Sequence, residues 1–338
     1  MANAKKLPSG AFRCLVYVGT ENGKRKYKSF TASTKRKAEY AADRYLLLNK
    51  AQRELTIGQA ADRYIELKKD VLSPATIRDY TITRESYLKS IENVMLADID
   101  TPLVQKWVSG MATTLSPKSV RNHYGFLRAV VGYYDKAKRN SLVPSLPPPV
   151  KRKYTLPTDA DIKALLDYFR GTYMEAVVYL AAVGTLRRAE ICGLKRACFD
   201  GDYITVSTNV VRDAAGNHVE KGTKTPNSNR RIRMPHAVVE RILELCSEDP
   251  MIPLKPDTLS LYFGRAVRKL KLRPIKLHGL RHYSASVMHY LGIPTQYAME
   301  RGGWANERTL QDIYNGALED KKDAFADAIS DYFGTVLK

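Results

Sequence analysis

Three short segments in the C-terminal half of the sequence carry side chains that can bind and attack an anionic group. The first segment places Arg187 directly after an apolar stretch. The second places His278 and Arg281 one helical turn apart, so that both side chains lie on the same helix face. The third contains Trp304 and, ten residues later, Tyr314. Two arginines, a histidine and a tyrosine are residue types that suit chemistry at a phosphate.

The physical reason lies in the weakness of tyrosine as a nucleophile. Its hydroxyl has an ordinary pKa of about 10 and needs a base or surrounding cations to react at neutral pH. Guanidinium groups can bind the non-bridging oxygens of a phosphate in bidentate fashion and stabilise the charge that develops there, which lysine does less well. Glu190, three residues after Arg187, can hold that arginine in position. The set therefore predicts transfer of a phosphoryl group to tyrosine.

Each of these residues also has a structural explanation when it is considered alone. Arg187 can form a surface ion pair, Trp304 can fill a core and Tyr314 can be a half-buried helix residue. His278 and His282 have the spacing of helical metal ligands, but the glutamate of an HExxH motif and a third ligand are missing. The functional prediction therefore depends on the ordered set, and no metal site is predicted.

The N-terminal residues 1–53 form a strongly basic segment, with 13 Lys and Arg against 3 Asp and Glu, a net charge of about +10. Residues 12–18 and 25–30 are rich in β-branched, aromatic and basic residues on either side of a glycine-containing turn, which predicts a β-hairpin. Ser33 and Thr34 predict the start of a helix that runs from Lys35 to about Asn49. A basic hairpin can lie in a DNA groove, but a solubilising strand edge guarded by lysines is an alternative.

From Leu55 to about Arg139 the apolar residues recur with helical spacing, which predicts four helices. Their start signals are a capping box at Thr56 and a hydroxyl residue before proline at each later start. These later pairs are Ser73-Pro74, Thr101-Pro102 and Ser116-Pro117. The proline-rich and then basic segment 142–154 cannot continue a helix and predicts a linker.

Beyond the linker, the sequence predicts helices, a strand-rich stretch from Tyr203 to Met234 with a turn at residues 214–217, and further helices to the end. The predicted fold class is multi-domain α+β. It comprises a small N-terminal β-sheet plus helix, an all-α four-helix domain, and a mainly α domain with a small antiparallel sheet. The predicted boundaries are 1–53, 54–141, a linker at 142–154, and 155–338.

The composition limits the class of partner and the cellular compartment. A net charge of +20 and a pI of about 9.7 indicate a polyanionic partner, with nucleic acid as the first candidate. The 4 cysteines are scattered without a CxxC pair, which favours a reducing cytoplasm over a disulfide framework or zinc site. The longest apolar stretch, residues 176–183, is too short to span a bilayer, and no hydrophobic signal segment follows the N-terminus. We predict a cytoplasmic protein without a membrane anchor.

In their order and spacing, the reactive residues resemble those of the tyrosine recombinase (phage integrase) family. The resemblance covers residues 155–333 and extends to the family's helical core-binding domain and N-terminal arm-binding domain. It implies a site formed by Arg187, Lys224, His278, Arg281, Trp304 and Tyr314. It also implies that no metal or nucleotide cofactor is needed.

The family's roles carry over to these positions. Tyr314 is the expected nucleophile, which leaves a 3′-phosphotyrosyl link and a free 5′-hydroxyl. Lys224, the hairpin lysine within Thr223-Lys224-Thr225, is the expected general acid, although Lys221 lies only three residues away and remains an alternative. His278 is expected to assist proton movement at the tyrosine, and Trp304 can donate its indole N–H to the phosphate.

The sequence departs from the family pattern at three places. Thr185 stands where a glycine usually precedes Leu-Arg. The interval from Trp304 to Tyr314 is one residue longer than the commonest family spacing. The histidine that usually follows the tyrosine motif is replaced by Asn315-Gly316.

The predicted function is that of an integrase, a site-specific recombinase that integrates and excises a mobile element of the phage or conjugative transposon type. The resemblance implies four protomers on two DNA duplexes that carry core-type and arm-type sites, with the tail from Ala317 to Lys338 docked on a neighbouring protomer. An accessory excision or DNA-bending protein is a further expected partner. The alternatives are a type IB topoisomerase, which relaxes DNA by similar chemistry, and a non-catalytic DNA-binding regulator.

Overall fold

The computed structural model describes residues 3–21, 24–53, 55–150, 155–222, 229–318 and 322–337. The chain divides into two compact units, residues 1–72 with 76–150 and residues 151–338 with 73–75. None of the helices in these described ranges is long and apolar enough to cross a membrane.

The N-terminal residues form a three-stranded antiparallel sheet covered by one helix. Its elements are β1 (Ala4–Lys6), β2 (Phe12–Glu21), β3 (Lys24–Ala32) and α1 (Lys35–Arg53), with the strand order β1-β2-β3. Cys14 and Val16 on the sheet pack against Ala38 and Ala42 on the helix in a small core. The predicted hairpin and helix are present, and β1 adds an edge strand that is too short to give a sequence pattern.

The helices between this sheet and the linker share a separate hydrophobic core, which includes Ile57, Val104, Leu127 and Val131. They are α2 (Ile57–Lys68), α3 (Pro74–Ile82), α4 (Thr101–Ala112), α5 (Pro117–Tyr134) and α6 (Lys136–Ser141). A π-helical turn, Thr83–Tyr87, continues α3. The four predicted helices are therefore present, together with the short α6.

Side-chain caps explain where several of these helices begin. The capping box at α2 forms as predicted, because the Thr56 hydroxyl accepts from Gln59 N at 3.2 Å and Gln59 Oε1 accepts from Thr56 N at 3.1 Å. At α4 the cap is Asp100, which accepts from Leu103 N at 2.9 Å. The predicted cap, Thr101, instead donates its hydroxyl to the Ser141 carbonyl at 3.0 Å. Aspartate and threonine are both strong capping residues, so neighbours of this kind compete for the position.

The second unit is mainly helical with small antiparallel sheets. Its helices are α7 (Asp159–Phe169), α8 (Tyr173–Ala182), α9 (Arg188–Ile191), α10 (His236–Leu245), α11 (Pro256–Lys269), α12 (Leu277–Tyr290), α13 (Thr295–Gly302), α14 (Glu307–Leu318) and α15 (Lys322–Val336). Its strands are β4 (Phe199–Asp200), β5 (Tyr203–Val206), β6 (Thr208–Arg212), β7 (His218–Gly222) and β8 (Arg230–Arg233). One sheet has the order β4-β5-β8, and β6 and β7 form a separate hairpin.

Helix α8 is the centre of this unit, because residues on all its sides are buried and α7, α10 and α12 pack around it. A helix that is apolar around its whole circumference belongs inside a domain. The chain leaves α8 at its C-terminal end toward Arg187, and α12 brings His278 and Arg281 to the same region. The predicted combination of a helix-rich fold with small antiparallel sheets is confirmed.

Candidate functional site

The turn between α8 and α9 places Arg187 through an unusual backbone conformation at Thr185. Thr185 has a φ of 59°, in the left-handed region that favours glycine, and is fully buried. Its hydroxyl donates to the Arg301 carbonyl at 3.1 Å, and its own carbonyl accepts from Arg281 Nη1. A threonine here adopts the conformation that a glycine would adopt more easily, and its hydroxyl adds a tether to the segment before Trp304.

Glu190 fixes the Arg187 side chain, as its spacing predicted. Its carboxylate accepts from the Arg187 backbone N–H at 2.7 Å and from Nη1 at 2.6 Å. Arg187 Nη2 donates to the Gly303 carbonyl at 2.6 Å. The guanidinium is therefore held between two elements, although about a third of the side chain remains exposed.

Arg230 on β8 is a second partner of Glu190 that the sequence reasoning did not identify. Its Nη1 and Nη2 bind the two carboxylate oxygens at 3.0 and 2.8 Å, and its Nε donates to the Arg301 carbonyl at 2.9 Å. The side chain is 3% exposed. The available signal was the alternation in β8, which puts Arg230 on the same inward face as Ile232 and so requires a buried counter-ion.

The two arginines outweigh the effect of burial on Glu190 and favour its charged form. Burial by itself would raise the pKa of this carboxyl, but the hydrogen bonds and charge of Arg230, and then the charge of Arg187, lower it below its ordinary value. The carboxylate is consequently a stable anchor for both arginines at neutral pH.

Arg281 is the most deeply buried cation of the site, with 1% of the residue exposed. Its Nη1 donates to the Thr185 carbonyl, and its guanidinium carbon lies 4.1 Å from the centre of the Trp304 ring. Among the described residues, neither its Nε nor its Nη2 has a hydrogen-bond partner. Burial, followed by the charges of Arg187 and Arg230, lowers the pKa of Arg281. Since a guanidinium keeps its proton in proteins, the lowered pKa indicates that an anion would stabilise the buried positive charge of Arg281.

His278 lies one turn before Arg281, and its ring packs edge to face against His282, with centroids 4.6 Å apart. The pKa of His278 is lowered to about 4, first because neighbouring protein atoms displace water from the imidazole and then because of the charges of Arg281 and Arg187. The residue as a whole is solvent-exposed. Burial and the neighbouring His278 lower the pKa of His282 to about 3. His278 is consequently a neutral imidazole at pH 7, able to accept one proton and donate another.

Two glycines allow Trp304 to lie against Arg281. Gly303 ends α13 in the left-handed conformation, with a φ of 63°. A Cβ atom on Gly302 would lie 1.8 Å from the Trp304 ring, which leaves no room for a side chain. The indole is 6% exposed and forms the apolar wall behind the Arg281 guanidinium.

Tyr314 on α14 is not joined to this cluster by a hydrogen bond. The residue is 6% exposed, and its hydroxyl oxygen is buried without a partner among the described residues. Its ring stacks on His289 near the end of α12, with centroids 4.1 Å apart and planes 14° apart. Burial raises the pKa of Tyr314 above its ordinary value. The hydroxyl is thus protonated and enclosed.

Lys224 lies outside the described residues. Its alternative, Lys221, is on β7 opposite Asn209. Alternation along the strand puts Lys221 on the opposite face from Glu220, which pairs with Lys195 at 2.9 Å. Lys221 therefore lies on the face of the hairpin opposite the Lys195–Glu220 ion pair. The structure brings together Arg187, Arg281 and Trp304, and places His278 beside them.

Comparison with known proteins places this arrangement in context. The sequence profile described as the phage integrase family matches residues 158–320. A tyrosine recombinase XerC-like protein from Caldanaerobacter subterraneus subsp. tengcongensis is 22% identical, over 95% of this chain and 96% of the relative. The match thus extends over both units.

Solved structures of integrases share the fold. The Tn1549 transposon integrase in complex with transposon right end DNA has a TM-score of 0.60 at 18% identity, over 80% of this chain and 99% of that chain. The lambda integrase tetramer bound to a Holliday junction has a TM-score of 0.60 at 16% identity, over 93% of this chain and 95% of that one.

The buried carboxylate gives a direct test of how the site is held. We expect Glu190→Gln to lower the free energy of unfolding by about 3–5 kcal/mol, because Arg230 loses the carboxylate that binds both of its Nη atoms while it stays buried. Urea unfolding of the full chain, followed by circular dichroism, measures the change. Glu240→Gln is the matched control, since the Glu240 side chain is 69% exposed.

The same variant gives a pH signature. The folded pKa of Glu190 is lowered, so its contribution to stability is complete above the ordinary value of 4.5 and is lost as the pH falls through the lowered pKa. The stability difference between the native chain and Glu190→Gln should therefore shrink in acid. A difference independent of pH from 7 to 3 would contradict the charged anchor.

Proposed function

Because the chain belongs to the tyrosine recombinase (phage integrase) family, whose members break and rejoin DNA, we propose that Tyr314 is the nucleophile with which it cleaves each strand. Its oxygen forms a bond to phosphorus while the bond from phosphorus to the 5′ oxygen breaks. The tyrosine loses its proton and the departing 5′ oxygen receives one. Attack by a 5′-hydroxyl reverses these steps and restores the phosphodiester, so the bond energy is conserved.

The observation that carries this proposal is the cationic cradle formed by Arg187 and Arg281, in which Arg281 has no ion-pair partner among the described residues. Arg281 is buried with two nitrogens that lack a partner in the described ranges, and Arg187 lies close enough to lower its pKa. A phosphodiester would supply the missing acceptors to Arg281 and would offset the positive charge that Glu190 leaves unbalanced among Arg187, Arg230 and Arg281. Donors fixed before the reaction stabilise the transition state without reorganisation, and each contributes about 3–4 kcal/mol.

Proton transfer is assigned to His278 and Lys224. The lowered pKa of His278 keeps its imidazole neutral at pH 7, and we assign a ring nitrogen of this neutral imidazole to accept the proton that Tyr314 loses. Lys224 protonates the leaving 5′ oxygen. Trp304 packs against Arg281 and donates its indole N–H to the phosphate.

The remaining parts of the chain position the DNA. Residues 1–53 form the arm-binding domain, 54–141 the core-binding domain, 142–154 the linker and 155–338 the catalytic domain. The outer face of the N-terminal sheet exposes about half of Tyr17 and Tyr27 between basic residues, which suits a DNA groove. Two DNA-binding modules in one chain raise the effective concentration of one at its site when the other is bound.

Assembly is assigned to the C-terminal helix α15. Four apolar side chains at helical spacing lie on one of its faces and are more than half exposed, namely Ile329, Tyr332, Phe333 and Val336. An exposed apolar stripe of this kind indicates a protein interface. We assign it to docking on a neighbouring protomer within a tetramer on two DNA duplexes; the structurally similar lambda integrase forms a tetramer bound to a Holliday junction.

The nucleophile is tested by covalent capture on DNA fragments that span both ends of the element carrying the gene. We expect Tyr314→Phe to lower formation of the protein–DNA adduct by a factor of about 10³ or more without changing DNA affinity, since only the attacking oxygen is removed. Denaturing gels and peptide mapping of the adduct provide the measurement. Tyr297→Phe is the matched control, because Tyr297 is exposed.

An adduct that persists in Tyr314→Phe would reassign the nucleophile. A native chain that binds these fragments but never forms an adduct would favour the regulator. Relaxation of supercoils without exchange of partners would favour the topoisomerase.

The general acid is tested with a leaving group that needs no acid. We expect Lys224→Ala to slow cleavage of ordinary DNA by a factor of about 10²–10⁴, but to cleave a 5′-bridging phosphorothiolate at nearly the native rate, because a thiolate leaves without protonation. Single-turnover cleavage of both substrates measures this, with Lys221→Ala as the matched control. The assignment would pass to Lys221 if only that variant showed the sulfur rescue.

The tail is tested by removing residues 319–338. We expect affinity for a single site to stay within about twofold, because the tail is not assigned to DNA, while recombination and tetramers on paired duplexes are lost. Analytical ultracentrifugation of the complexes provides the measurement. Phe333→Ser on the exposed stripe is a milder variant with an intact chain length. An unchanged recombination rate in the truncated chain would refute the assignment.

A further inference from the structure

The turn after α8 contains a backbone conformation that its own side chain opposes. Thr185 has a φ of 59° and is fully buried. A β-branched side chain crowds the backbone in this left-handed region, which glycine adopts without strain. The adjacent Gly184 serves a different need, since a Cβ atom there would lie 2.7 Å from the Leu180 carbonyl oxygen. The strained conformation therefore falls on a threonine and requires an interaction that offsets the strain.

The Thr185 hydroxyl provides that interaction. It donates to the Arg301 carbonyl at 3.1 Å, across 116 residues of sequence. The same carbonyl accepts from Arg230 Nε at 2.9 Å, so a second donor already holds it in place. The hydroxyl thus ties the left-handed turn to a fixed point on α13. Serine and threonine can supply such a bond, whereas glycine and valine cannot.

The backbone carbonyl of Thr185 holds the most deeply buried cation of the site. It accepts from Arg281 Nη1, which is the one hydrogen bond that the described residues offer to this guanidinium. Arg281 Nε and Nη2 have no partner in the same ranges. Because the peptide unit is planar, the backbone angles of Thr185 determine the direction of its carbonyl. The left-handed turn therefore determines where Nη1 is held and how the other N–H groups are oriented.

We propose that Thr185 is a positioning residue for Arg281. Its hydroxyl holds the turn in the left-handed conformation, and the turn directs the carbonyl that fixes Nη1, so that Nε and Nη2 are presented to the phosphate. The inference rests on the proposed role of Arg281 in binding the phosphate. Loss of the hydroxyl lowers the fraction of molecules with a correctly placed guanidinium by the contribution of one hydrogen bond, a factor of about two to ten.

The first test needs no DNA. Urea unfolding of the full chain, followed by circular dichroism, is measured for Thr185→Val, Arg281→Ala and the double variant. We expect the factor by which Thr185→Val lowers the folding equilibrium constant to be about two- to tenfold smaller in the Arg281→Ala chain, because the two residues share a contact. Thr172→Val is the matched control. The Thr172 hydroxyl donates to the Phe169 carbonyl at 2.6 Å at the other end of α8, so its loss should have the same effect in both chains.

The second test compares two substrates in single-turnover formation of the covalent adduct. We expect Thr185→Val to slow adduct formation on ordinary DNA by about two- to tenfold. On DNA with a neutral methylphosphonate at the cleavage site, the variant should react within about twofold of the native chain, because a guanidinium contributes most where negative charge develops. Thr172→Val should match the native chain on both substrates. A residue that only stabilises the fold would affect both substrates equally.

Two further variants separate the hydroxyl from the backbone conformation. Thr185→Ser keeps the donor, and Thr185→Gly adopts a positive φ without one. Both should form the adduct on ordinary DNA within about twofold of the native rate, because each retains the left-handed turn. Thr185→Ala, which has less steric strain than valine in this conformation, replaces Thr185→Val if that chain does not fold.

The outcomes separate this inference from the proposed function. A native rate in Thr185→Val, or equal slowing on both substrates, would overturn the positioning role. Independent effects of Thr185→Val and Arg281→Ala on folding would also overturn it, as would a Thr185→Gly chain as slow as Thr185→Val. An adduct on a tyrosine other than Tyr314, or no adduct at all, would instead overturn the proposed function, and the unfolding cycle would still report whether Thr185 holds Arg281.

Discussion

The arrangement of the site depends on one buried carboxylate. Glu190 binds Arg187 from its own helix start and Arg230 from β8, and is itself 1% exposed. Without it, two guanidiniums would repel each other in a region shielded from water. Both arginines also donate to carbonyls of the segment before Trp304, Arg187 to Gly303 and Arg230 to Arg301. The carboxylate thus fixes the loop after α8, the sheet and the end of α13 relative to one another.

The cluster around Glu190 remains cationic, because one carboxylate faces three guanidiniums. Arg281 has no ion-pair partner among the described residues; the Thr185 carbonyl and the face of Trp304 contact its guanidinium, and Glu190 offsets its charge only in part. These contacts orient the guanidinium but do not neutralise it. Folding has therefore organised a site whose electrostatic complement is an anion. A phosphodiester binds to donors that are already in place, which is the arrangement that stabilises a developing charge.

The sequence predicted the parts of the structure that depend on local patterns. Helix starts at Thr56 and Ser116 follow from capping chemistry, and the spacing of Arg187 and Glu190 follows from one helical turn. Long-range pairings have no such local signal. Arg230 is separated from Glu190 by 40 residues, so only burial on an alternating strand indicated that it needed a partner. The left-handed conformation of Thr185 was equally hidden, because a threonine ordinarily avoids it.

Tyr314 illustrates a different limit of prediction from sequence. The order of the motifs identifies the residue but does not give the conformation of its helix. Charged hydrogen bonds from three separate elements hold the arginines of the cradle in place. Tyr314 is held only by ring contacts, and its hydroxyl bonds to nothing in the described ranges. Ring contacts are weaker and less directional than the ion pairs around Glu190. Directional charged hydrogen bonds therefore fix the arginines, whereas packing of the ring sets the position of Tyr314.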